Sequence, residues 1–197
     1  MSDIKVCLAV GNERVSALAI EQQVFLEEGY PYDYRRYDSQ SRVFGAFEGK
    51  ICVGALRVVS QAPLLPPVLA DCQVWDIAEW QSMGETFAEL ATQAVVQDYR
   101  HQMVGLMLIR EAYTDARIRG LKALAVITEP ANVKYLNEEA HFACRQIGEI
   151  GFKGWECAPY IHVFDEVETK LAAADPESFN WFTSGVPDEL MAVPRPN

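Results

Sequence analysis

The sequence predicts an α+β (α/β) fold, and three stretches carry that expectation. Phe87 to Thr128 reads as an apolar strand, a short polar turn, a long amphipathic helix and a second apolar strand. That is a right-handed βαβ unit if the two strands share a sheet. Arg42–Phe47 and Ile51–Val59 are β-type runs joined at Glu48, Gly49 and Lys50, which is a hairpin. Val15, Leu18, Ala19, Phe25 and Leu26 recur at helical spacing up to Gly29, which marks one amphipathic helix that Asn12 is placed to cap.

The remaining elements follow in order. Ile4–Val10 alternates weakly and ends at Gly11 and Asn12, a first strand closed by a turn. The aromatic and charged stretch YPYDYRRYDSQ reads as a loop or short helix. Pro63, Pro66 and Pro67 exclude a central strand and predict an irregular connection with one short helical turn. In the helix after the polar turn, Val104, Met107, Leu108, Ala112 and Ala116 share a face, and Gly120 closes it. Leu121–Thr128 is nearly continuous in apolar residues, as a parallel strand buried on both faces would be. Pro130 opens a further helix to about Ala140. Strands at 142–148 and Tyr160–Phe164 and a helix at Glu166–Ala174 complete the pattern. Residues 1–175 are expected to form the domain. Residues 176–197, with Pro176, Pro187, Pro194 and Pro196, read as a loosely ordered tail whose first part is pinned by Phe179, Trp181 and Phe182.

Composition narrows the function classes. The chain has 197 residues, half of them apolar and 23% charged, as in an ordinary globular protein. A formal net charge of −11 argues against a general binder of nucleic acid or anionic membrane. Arg100, Arg110, Arg117, Arg119 and Lys122 nevertheless leave Asp98–Lys122 with a local balance of +2. A basic island in an acidic chain suits a phosphorylated ligand or an acidic carrier, and equally a solvated helix face. The five cysteines show neither C-x-x-C spacing nor an even count, so reduced thiols are expected and no metal site is indicated. The short apolar run at the N-terminus and the lack of an 18-residue apolar stretch point to the cytoplasm.

Within the βαβ unit, the turn from strand to helix exposes backbone N–H groups without helical partners, and those suit a phosphate or pyrophosphate. Arg100, His101, Gln102, Met103, Val104 and Gly105 stand at that turn.

The element order together with these residues resembles the GNAT acyltransferase superfamily, whose turn carries Gln or Arg, two residues, Gly, one residue, then Gly or Ala. Met103 replaces the first glycine. Further landmarks resemble the branch of acyl-homoserine lactone synthases and long-chain N-acyl amino acid synthases. They are Phe25 before a Gly-Tyr pair, Tyr37 with Asp38, GALRVV containing Arg57, and Glu89 on the strand before the turn. Phe142, Ile147-Gly148, Gly154, Pro159 and Asp165 close the series. The branch's usual arginine three residues after the glutamate is Thr92 here.

The resemblance implies one GNAT-like domain with a central, mixed, mostly antiparallel twisted sheet of about 6–7 strands and about four helices. It implies an N-acyltransferase that moves an acyl group from a phosphopantetheine thioester, acyl-CoA or acyl carrier protein, to the amine of a small acceptor such as an amino acid, without a metal. Arg100, His101, Gln102, Met103, Val104 and Gly105 would face the carrier, and a backbone donor near Val95 or Val96 would meet the acyl carbonyl. Glu89 would receive the acceptor's proton through water, and its plain alternative is an exposed carboxylate or a partner of Arg57. Tyr135 is the candidate acid for the leaving thiolate, although it lies seven residues before Phe142, and the family's spacing of five falls on Asn137. Asp38, Arg57 and Trp75 would line the acceptor side, with Arg57 suited to a carboxylate. Two other functions fit the same features: an acetyl-CoA-dependent N-acetyltransferase and a binding module of this fold without turnover.

Overall fold

A computed structural model describes residues 3–30, 33–60, 65–152 and 155–195, so Pro63, Gly154 and Pro196 lie outside the described residues. The strands run in the order β1-β2-β3-β4-β5-β8-β6, with the two-residue β7 paired to β8. The β4–β5 pair is parallel, while β1–β2, β2–β3, β5–β8, β6–β8 and β7–β8 are antiparallel. The chain divides into two compact units, residues 1–59 with 90–113 and residues 60–89 with 114–197.

In the first unit, β1 (Ile4–Leu8) pairs with β2 (Ser41–Glu48), which forms the expected hairpin with β3 (Ile51–Ser60). Helix α1 (Gly11–Glu27) packs on β2, and Ala9, Ala17, Val43, Phe47, Cys52 and Ala55 form the core. Its buried stripe is Ala17, Glu21 and Val24, whereas Val15 and Leu26 are exposed. The apolar spacing therefore misplaces the inward face, because a buried counter-charge on β3 draws Glu21 inward. Asn12 lies within the helix and does not cap it; Val10 holds the cap position without a side-chain bond. A 3-10 helix at Arg35–Gln40 fills the aromatic stretch before the hairpin.

The proline-rich connection in the second unit contains two helices, α2 (Pro67–Asp71) and α3 (Ile77–Ser82), where a single turn was expected. Pro67 sits at the first helical position, where its missing N–H costs nothing. Trp80 stacks on Phe87 at 6.5 Å, within a core that includes Val68, Leu69, Ala123, Ala125, Ile147 and Ile161. Gly148 is required here, because an added Cβ would stand 2.3 Å from the Gln73 carbonyl oxygen.

Strand β4 (Phe87–Val95) begins in the second unit and continues into the first from Leu90. Helix α4 (Val104–Ile118) likewise spans the division, burying Val104, Leu108, Ala112 and Ala116 as its spacing predicts. β5 (Ala123–Thr128) completes the βαβ unit by pairing in parallel with β4, but only from Phe87–Ala123 to Glu89–Ala125. β5 then continues along β8 (Glu156–Val163) to Thr128–Ala158. Helix α5 (Pro130–Glu138) leads to the three-residue β6 (Cys144–Gln146), and β7 (Gly151–Phe152) precedes β8.

The C-terminal segment is built into its unit. α6 (Phe164–Ala174) contacts α7 (Pro176–Thr183), which buries Phe179 and Phe182. Farther on, the Ala192 N–H donates to the Glu168 carboxylate at 2.6 Å, and Arg195 donates to the carbonyls of Thr183 and Val186 at 2.6 Å. Arg117 on α4 donates to the Leu190 carbonyl and pairs with Glu168 at 3.0 Å. The expected loose tail is thus held by side chains that the proline count does not reveal. No helix among the described residues is long and apolar enough to cross a membrane.

Candidate active site

The strand-to-helix turn carries two left-handed residues into the start of α4. After β4, the Val96 N–H donates to the Val53 carbonyl at 3.0 Å and the chain makes a 3-10 turn at Gln97–Tyr99. His101 and Met103 then take left-handed backbone, with φ of 63° and 65°. The Met103 carbonyl accepts from the Met107 N–H at 2.9 Å, the first bond of α4. The N–H groups of Val104, Gly105 and Leu106 precede any possible helical partner and point out of the helix start. Left-handed backbone costs a residue with a Cβ about 1–2 kcal/mol, which is why a glycine suits position 103. Met103 carries that conformation with its side chain 54% exposed. At Gly105 the space is taken from above: Gln93 donates to its carbonyl at 2.8 Å, and a Cβ would meet that amide nitrogen at 2.7 Å.

Arg100 is held by two partners. Its Nε donates to the Val95 carbonyl at 3.0 Å and its Nη2 pairs with Glu28 at 2.7 Å. These groups line an open pocket of about 320 Å³ with Val24, Phe25, Tyr30, Gln93 and Val95. Phe25 meets Tyr30 edge-on at 6.0 Å. Gln102 bonds the Asp98 carbonyl at 2.7 Å, and His101 is exposed. Sequence reasoning names Arg100 and Val95 here but misses Glu28 and Tyr30, because the ion pair joins residues far apart in the chain.

Arg57 stands deeper in the same unit, at 0% exposure. It grips Glu21 through Nε at 2.8 Å and Nη2 at 2.6 Å, and its Nη1 reaches Asp38 at 2.7 Å and the Tyr34 carbonyl at 3.1 Å. The expectation that Arg57 itself meets an acceptor carboxylate is corrected by this burial. The group it presents is Asp38, whose side chain is about half exposed. Thr92, in the place of the branch's arginine, donates its hydroxyl to Glu21. A threonine suits that place because Glu21 already has a guanidinium on it.

In the second unit Glu89 is fully buried opposite Ala125, and its Oε2 accepts from the Val68 N–H at 2.5 Å. The proline-led start of α2 supplies that donor. The alternative of an exposed strand carboxylate is therefore excluded. Trp75 is exposed, with its indole N–H on Glu149 at 3.0 Å and its carbonyl accepting from the Trp80 indole. Tyr135 is exposed on α5. Asn137, at the family's tyrosine spacing, bonds the backbone of Cys144 both ways, at 2.8 and 3.0 Å, and so joins α5 to β6.

Cys144 also approaches His162 Nδ1 at 3.3 Å. Desolvation pushes the thiol up to about 12 and the imidazole down to about 4, so both are neutral near pH 7. This is a packed pair, not an activated nucleophile. All five cysteines are free thiols.

Two arginines of the basic island turn inward or pair locally. Arg117 is buried on Glu168 and Asp165, and Arg119 lies 3.7 Å from Asp115.

No protein-family model matches the sequence, and no curated protein sequence does. Solved structures do resemble it. FeeM, an N-acyl amino acid synthase from uncultured soil microbes, superimposes with a TM-score of 0.72 at 19% identity, over 86% of this chain and 96% of that one. A putative acetyltransferase of the GNAT family from Desulfovibrio desulfuricans gives 0.57 at 15% identity, over 81% and 98%. Arabidopsis thaliana Naa50 in complex with the bisubstrate analogue CoA-Ac-MVNAL gives 0.56 at 15% identity, over 83% and 100%. The chain therefore has the GNAT fold.

Proposed function

We propose that the protein is an amine N-acyltransferase that takes its acyl group from a phosphopantetheine thioester. The observation that supports this is the turn at Arg100–Gly105, where left-handed backbone at Met103 leads straight into the first N–H groups of α4, a geometry suited to an anion. The parallel ladder stops at Glu89–Ala125 while β4 runs on to Val95. In a regular strand successive N–H groups point to opposite edges, and Val96 donates toward β3. The Val95 N–H then points to the other edge, the one β5 no longer covers, and is the donor for the acyl carbonyl.

In the reaction, the amine nitrogen attacks the thioester carbon, the C–S bond breaks and the thiolate leaves with the electron pair. The acceptor must first lose its ammonium proton. Glu89, the carboxylate carried on β4, is the proposed acceptor of that proton through water. In the first unit Asp38, turned outward by Arg57, supplies negative charge for an acceptor; in the second, Trp75 offers an exposed aromatic side chain and Tyr135 an exposed hydroxyl for the thiolate, which also leaves unaided.

Acyl-CoA is the favoured donor. Within the basic island that would suit an acidic carrier protein, Arg117 is buried in its own ion pairs and Arg119 is shared with Asp115. The test is thiol release with acetyl-, medium- and long-chain acyl-CoA against a panel of primary amines and amino acids, with the amide identified by mass. Amide and free thiol in equal amounts are expected. Thermal stabilisation by acyl-CoA with no thiol release for any amine would instead make this a binding module.

A further inference from the structure

We infer that the pocket at the end of α1 binds the acceptor's ammonium on Glu28, and that Arg100 is a stand-in cation displaced when an anion occupies the neighbouring turn. The inference rests on the acyl-transfer reading and assigns its acceptor class and the residue that reads it.

Electrostatics single out Glu28. Helix α1 ends in Glu27 and Glu28 with no basic residue in its last turn. A helix C-terminus carries partial negative charge, so acids there are unfavourable and a cation is drawn in. That cation is Arg100, at 2.7 Å. Around the pair, Phe25 and Tyr30 line the pocket with aromatic rings and Val24 and Val95 with apolar side chains, which suits an ammonium on a short organic body. Asp38 is the poorer candidate, since its counter-ion Arg57 is buried and fixed in place by Glu21. Glu28 has a counter-ion that can leave.

Arg100 has somewhere to go. It stands four residues before the first helical residue of α4, beside the N–H groups proposed to hold the donor's phosphate. An anion there competes with Glu28 for the guanidinium. An ion pair with side chains 35% and 40% exposed is worth little, so the exchange costs mainly the Nε bond to the Val95 carbonyl at 3.0 Å. Once Arg100 turns to the anion, Glu28 is bare beside Val95, where the acyl carbonyl is placed. Donor and acceptor then bind with positive coupling, and the coupling is reciprocal.

The experiment is calorimetry on the full chain with phenethylamine and inorganic pyrophosphate, each titrated with and without the other. Phenethylamine is expected to bind about two- to fivefold more tightly when pyrophosphate is saturating, with the same factor in the reverse titration. 2-Phenylethanol, which lacks the charge, should show no such gain. Glu28→Gln should lose amine binding and keep pyrophosphate binding, and Arg100→Ala should bind phenethylamine with no response to pyrophosphate. Thermal melts establish that both variants are folded. Equal phenethylamine affinity with and without pyrophosphate, or full affinity in Glu28→Gln, would overturn the inference. Thiol release without coupling sinks this proposal and leaves acyl transfer standing. Coupling without thiol release supports the pocket and sinks acyl transfer.

Discussion

Arg57 holds Glu21 by both carboxylate oxygens, and neither side chain is reached by solvent. The pair fixes α1 to β3 and holds Asp38 at its outer end. Removing Glu21 leaves the buried guanidinium with the half-exposed Asp38 as its counter-charge, so Glu21→Leu should cost up to about 3–5 kcal/mol in urea unfolding. Glu21→Leu with Arg57→Met should recover much of that loss. A double variant as unstable as the single one would show that the charge itself is not the source of the cost.

Met103 sits where the fold asks for a residue without a Cβ. Met103→Gly should relieve about 1–2 kcal/mol of backbone strain, of which the greater freedom of glycine in the unfolded chain takes back up to about 1 kcal/mol. A net rise in melting temperature is expected, with tighter binding of CoA, whereas Met103→Ala should show no rise. Calorimetric melting of the three proteins decides it.

Stability should fall with acid through His162. Its folded value lies near 4 against an ordinary 6.5, so below pH 6.5 the unfolded chain takes up a proton that the folded one refuses. Stability is then lost at up to about 1.4 kcal/mol per pH unit as the pH drops through this window, and levels off below about 4. Cys144 works in the other direction. Its thiol stays protonated when folded up to about 12, so stability drops from pH 9 upward as the unfolded thiol ionises. Urea midpoints from pH 4 to 10 should show a plateau between these limits, and His162→Phe should flatten the acid limb.

Arg117→Glu should act on folding. It would set a third carboxylate against Glu168 and Asp165 and free the Leu190 carbonyl. A loss of about 3–5 kcal/mol in chemical unfolding is expected. An unchanged midpoint with a raised KM for an acyl carrier protein would restore the island as a docking face.

Glu89→Gln should lower kcat while leaving the acyl-CoA affinity unchanged, since the proton it is proposed to take belongs to the acceptor and not to the donor. Raising the pH, which supplies free amine, should narrow the deficit. A deficit that stays constant with pH would mean that Glu89 serves only to anchor Val68.

Periodicity makes the hairpin, the βαβ unit and the inward face of α4 legible, because those residues are placed by neighbours three, four or two positions away. Glu21 is different. It lies in a polar run on α1, and the reason it is buried is an arginine 36 residues later. Val15 and Leu26, apolar and exposed, pull the same helix's pattern the wrong way. The turn at Arg100–Gly105 is legible from its place between strand and helix, while Arg100's partner Glu28 is not, since ion pairs leave no trace in local spacing. Pro176 misleads: it reads as the start of a loose tail, yet it opens a helix.

The fastening of the C-terminal segment has a consequence for biosynthesis. Every residue of the first unit has been made by Tyr113, whereas Arg117 and Glu168 meet their partners only after Leu190 and Ala192 have been added. During translation the second unit therefore waits, with a buried guanidinium and carboxylate incompletely covered, until nearly the whole described chain has emerged. A ribosome stalled before residue 190 should display a first unit that resists protease and a second that does not.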